Sequence, residues 1–76
     1  MDNTTKWVVM PHGSERATIG KFCCEAWIAF DREGVHARYS VFDTALGWYV
    51  KDGRCASLEW ARDVSANFAR SLGDVE

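Results

Sequence analysis

His12, Gly13, Ser14 and Glu15 put an imidazole, a hydroxyl and a carboxylate side by side, the groups from which an activated hydroxyl nucleophile is made. Adjacent residues seldom converge on one substrate atom. Neither a strand-to-helix nucleophile elbow nor an oxyanion-hole signature accompanies them, so the segment reads as a solvated turn. Cys23, Cys24 and Cys55, with His12 and His36, supply the ligand types of a zinc site. Their spacing argues against one. Neighbours in a strand point to opposite faces, so Cys23 and Cys24 cannot share an ion, and His36 lies about six residues along the ladder from Cys23, roughly 20 Å away. Cys55 sits just ahead of a predicted helix, where a thiol pKa can fall, but two residues early and with no His placed to serve as its base. No metal, cofactor or catalytic residue is expected, and a small thiol or metal enzyme is the weakest functional reading.

A second set of residues suits binding rather than turnover. Two period-2 runs from Phe22 to Phe42 flank the turn Asp31-Arg32-Glu33-Gly34. Pairing Phe30 with Val35 sets Ile28 against Ala37, Ala26 against Tyr39 and Cys24 against Val41, one apolar face that is expected to be the core face. The other face then carries Cys23, Glu25, Trp27 and Ala29 opposite Phe42, Ser40, Arg38 and His36. Trp27 and Arg38 are direct partners, so the guanidinium is placed to lie over the indole, a contact worth about 0.5–1 kcal/mol at an exposed site. Trp27, Arg38, Phe42 and Glu25 therefore form a candidate contact patch, because Trp, Tyr and Arg anchors dominate binding energies. Glu33 and Asp52, with Asp31 and Asp43, offer acids at loop tips to a basic partner. Aromatics beside Arg can also stack nucleobases, the alternative of a single-stranded nucleic-acid binder. Glu25 inside the patch and the net charge of −2 make nucleic acid the less favoured partner.

The elements that must hold this patch follow from the rest of the chain. Lys6 to Met10 is rich in strand formers and stops at Pro11, giving a first strand. His12 to Gly20, with turn residues at both ends and charges between them, is expected to be a nine-residue loop or a wide hairpin connection. After the hairpin, Asp43-Thr44 turns into a strand over Leu46 to Lys51 that Asp52-Gly53 should end. Ser57 is a candidate N-cap, with Glu59 in the first helical turn. Leu58, Ala61, Val64, Phe68 and Leu72 recur at helical spacing, with Glu59, Arg62, Asp63, Ala66 and Arg70 on the opposite side. Arg70 and Gly73 give the stop signal, and Asp74 to Glu76 are expected to fray. Residues 1–76 thus read as a single α+β domain: a four-stranded antiparallel meander followed by one C-terminal amphipathic helix packed on one face.

One helix covers one face of a sheet, which leaves the face bearing Trp27, Phe42 and Cys23 open. A chain of 76 residues buries only roughly 60% of its unfolded surface, so help from association, a homodimer or a partner protein, is expected. An odd count of three cysteines, two of them adjacent, suits reduced thiols. The start of the chain lacks a basic segment and an apolar run, and Phe22 to Phe30 is too short and too interrupted to span a bilayer, so a cytoplasmic protein with no membrane contact is expected.

From Ser57-Leu58-Glu59-Trp60-Ala61 onward, about a quarter of the 76 residues, the chain resembles the terminal part of HicB-type antitoxin domains, where a sheet runs into a Ser-Leu-Glu-Glu-Ala helix. The Pro-Asp-x-Pro-Gly-Cys stretch of that family is absent, and no residue role is carried over. In size and acidic character the chain also looks like phage-encoded inhibitors, anti-CRISPR proteins among them. The expected function is a non-catalytic protein-binding module, an accessory protein of a phage or mobile element that occludes a host complex.

Overall fold

The alternation from Phe22 to Phe42 becomes the long central hairpin of the computed structural model, which describes residues 5–73. Strand β1 spans Val8–Val9, β2 Glu15–Ile19, β3 Phe22–Asp31, β4 Gly34–Asp43 and β5 Trp48–Cys55, and helix α1 covers Leu58–Gly73. All pairings are antiparallel and the sheet order is β1-β2-β3-β4-β5, a meander of five strands. The hairpin register is the one the alternation predicts, from Cys23 opposite Phe42 to Phe30 opposite Val35. Its turn closes with the Glu33 N–H donating to Asp31 Oδ1 at 2.8 Å and with Gly34 at φ 109°, a backbone angle that an L side chain resists.

Three boundaries differ from the sequence reading. The segment His12 to Gly20 is not a loop throughout: Glu15–Ile19 is β2, the strand that raises the count from four to five. Its charges mislead because they are paired, Arg62 Nη1 donating to Glu15 Oε1 at 2.8 Å and Arg16 lying 3.6 Å from Glu25. The first strand is confined to Val8–Val9. The last runs through Asp52 and Gly53 to Cys55, because Gly53 answers a packing need and not a turn: a Cβ there would fall 2.6 Å from the Tyr39 hydroxyl.

Helix α1 lies across the face that carries Cys24, Ala26, Ala37, Tyr39 and Val41, all buried. Ser57 caps it, its Oγ accepting from the Trp60 N–H at 3.1 Å. On its most buried side the helix presents small side chains, Ala61, Ser65 and Ala69, all fully buried. The larger Leu58 and Val64 pack on the cluster around Ala26 and Tyr39, and Phe68 and Leu72 on the one around Phe22 and Val41. Trp7 touches both clusters. Ala66, expected on the outer side, is buried as well, so the covered stripe is wider and smaller-grained than the spacing of large residues suggests.

The core face is only partly covered. Ile28, Phe30 and Val35, expected in the core, are 43%, 77% and 66% exposed. A helix of 16 residues is about 24 Å long at 1.5 Å per residue. A strand of 10 residues spans about 33 Å, so the hairpin end overhangs the helix.

Candidate functional site

The face turned away from α1 is built by alternate residues of β2 to β5, which the register arranges in cross-strand rows. Trp27 pairs with Arg38 and Arg38 with Arg54, the next row runs Arg16, Glu25, Ser40 and Asp52, and the third holds Cys23, Phe42 and Tyr49. A register shift between Val41 and Phe42 puts Tyr49 opposite Phe42. The two rings meet edge to face with centroids 4.9 Å apart and planes at 71°.

Five of the six residues expected at the patch are brought onto this surface: Glu25, Trp27, Arg38, Phe42 and Asp52. Trp27, Arg38, Tyr49 and Asp52 line one depression of about 270 Å³ together with Glu25 and Ser40. The expected stacking of Arg38 on Trp27 does not form: both residues border the depression, and among the described residues the Arg38 guanidinium has no hydrogen-bond or ion-pair partner. Glu33 lies away from the face, at the hairpin tip, where its carboxylate meets Arg54 Nη1 at 2.6 Å.

Glu25 is the polar centre of the face. Ser14 Oγ donates to Glu25 Oε2 at 2.8 Å and stands 2.6 Å from His12 Nε2. A hydroxyl has one proton, and here it goes to Glu25, so His12 must donate to Ser14 through Nε2–H. That polarity is the reverse of a general base drawing a proton from a nucleophile. His12, Gly13, Ser14, Glu25 and Trp27 border a second depression of about 430 Å³. The sequence reading missed the burial of Ser14. Recognising β2 would have revealed it, since Ser14 precedes Arg16 by two positions and so shares the face of Glu25.

Cys24 and Cys55 are positioned as packing groups. Cys24 donates to the Ser65 carbonyl at 3.6 Å, and burial above all, then the neighbouring Cys23, pushes its pKa up from 9.0 to about 11. Cys55 packs half-buried against the Ala37 and Tyr39 cluster. His36 Nε2 is buried without a hydrogen bond and lies 3.6 Å from the Asp31 carboxylate. Among the described residues no three His, Cys, Asp or Glu side chains converge on one point.

Compared with protein-family models, curated proteins and solved structures, the chain matches none. Among the described residues no helix is long and apolar enough to cross a membrane.

Proposed function

We propose that the chain is a non-catalytic binding module that holds a protein partner on its open sheet face, with Trp27 and Arg38 as anchors. The observation that carries this reading is the Trp27 and Arg38 pair bordering one depression, with the guanidinium uncommitted among the described residues, a rigid aromatic beside a cation on a surface that no described element covers. Sheet residues are held by their neighbours, so little order is lost on binding. The mixed charge of the face favours protein over nucleic acid: Arg16 faces Glu25, and Arg54 is held by Glu33 and by Asp31 at 4.0 Å. In size and acidic balance the chain fits an accessory protein of a phage or mobile element that inhibits a host complex by occlusion, as anti-CRISPR proteins do, and a face of this kind would act by covering the partner's own site.

Trp27→Ala and Arg38→Ala should each weaken binding to a partner isolated by affinity capture by at least about 1–2 kcal/mol with the fold intact by circular dichroism. Equal affinity in both variants contradicts the reading. Tight binding of single-stranded oligonucleotides that falls steeply with salt would replace the protein partner with nucleic acid.

A further inference from the structure

The sheet ends differently on its two sides. At one edge lies β1, of 2 residues, and at the other β5, of 8, whose outer edge pairs with no strand among the described residues. An open edge of that length presents a row of backbone donors and acceptors ready for another strand. Where the added strand is a second copy of β5, a two-fold axis perpendicular to the sheet sets one residue opposite itself.

Within the regular stretch from Lys51 to Arg54, charge then selects the register. Centring on Lys51, Asp52 or Arg54 opposes that charge to its own copy. Centring on Gly53 puts Asp52 opposite the second copy's Arg54, and Arg54 opposite its Asp52, two pairs of opposite sign from one operator. Both residues sit on the open face, opposite Ser40 and Arg38 of their own chain, so the pairs form on a single surface. The stretch from Lys51 to Cys55 pairs with β4 without irregularity, and Gly53 leaves the axis clear of a side chain.

We propose that the protein forms a two-fold dimer by antiparallel pairing of its β5 edges, Gly53 opposite Gly53. The two sheets become one, both helices lie on the same side, and the two open faces run together on the other. In the dimer each Arg54 exchanges its own-chain contacts with Glu33 and Asp31 for Asp52 of the second copy, which brings a cation from the neighbour to the rim of the depression lined by Trp27, Arg38 and Asp52. This places self-association at the edge and leaves the aromatic face free. It does not depend on that face binding a partner.

The test is a charge swap followed by sedimentation equilibrium at high micromolar concentration. Wild type should approach twice the monomer mass. Asp52→Arg, which opposes two cations twice over, should weaken the dimer by roughly tenfold or more, and adding Arg54→Asp should restore it. Circular dichroism checks the fold of each variant. In the same register Lys51 faces the second copy's Cys55, so Lys51→Cys should yield a disulfide-linked dimer on mild oxidation, a bond the two positions cannot form within one strand. A monomeric wild type, a dimer indifferent to Asp52→Arg, or failure of both the swap and the cross-link overturns the proposal.

Discussion

Gly53 and Cys24 show how single residues of this chain answer to their neighbours. Gly53 stands in β5 because the Tyr39 ring fills the space its Cβ would need, with the hydroxyl at 2.6 Å and ring carbons at 2.8 Å. Tyr39 is buried and cannot swing aside, so Gly53→Ala should cost about 1–3 kcal/mol, as overpacking does. In a thermal melt each kcal/mol amounts to roughly 4–8 °C for a domain of this size, and an unchanged melting temperature would contradict the packing described. Cys24 predicts a pH dependence. Its thiol ionises near 9.0 when unfolded but at about 11 when folded, so the folded chain holds the proton more tightly and stability falls as pH rises through that window. Tyr39, raised above 10.0 chiefly by burial, acts in the same direction. Denaturant midpoints measured across the window should fall less steeply in Cys24→Ala than in wild type.

At the scale of elements, what was legible in the sequence depended on how loudly side chains report their faces. The hairpin register followed from alternation alone, because every second residue from Cys24 to Phe30 is apolar and Gly34 fixes the turn. Strand β2 was not legible, since Glu15 and Arg16 look like loop residues until Arg62 and Glu25 are known to lie beside them. The end of β5 was misplaced because Asp-Gly signals a turn unless a partner strand has claimed the glycine. For the candidate site, Trp27, Arg38 and Phe42 were readable from register, whereas the Ser14 and His12 contacts needed the missing strand. Ala61 and Ala69 of α1 are fully buried in the two core clusters with no room for a larger side chain, so Ala61→Leu and Ala69→Leu should each destabilise by about 1–3 kcal/mol. Phe68 lies half-buried at the flank, and Phe68→Ala should fall at the lower end of about 3–5 kcal/mol. Ser57→Ala should cost about 1 kcal/mol through loss of the cap. Chemical denaturation of the four variants checks both magnitude and rank.

For the whole molecule, one helix under a five-stranded sheet leaves two surfaces of different character. The overhanging hairpin end exposes Ile28, Phe30 and Val35 on the helix side, and the opposite face carries Trp27, Arg38, Phe42 and Tyr49 among paired charges. Binding through the second of these is the central claim, and it predicts where a complex should leave its mark. Backbone chemical-shift mapping of the labelled chain with its captured partner is the most direct measurement. Perturbations should concentrate at Glu25, Trp27, Arg38, Ser40 and Asp52, with the outer surface of α1 around Glu59 and Asp63 unchanged. Perturbations confined to that helix surface or to the Phe30 and Val35 overhang, with the Trp27 and Arg38 row silent, would contradict it.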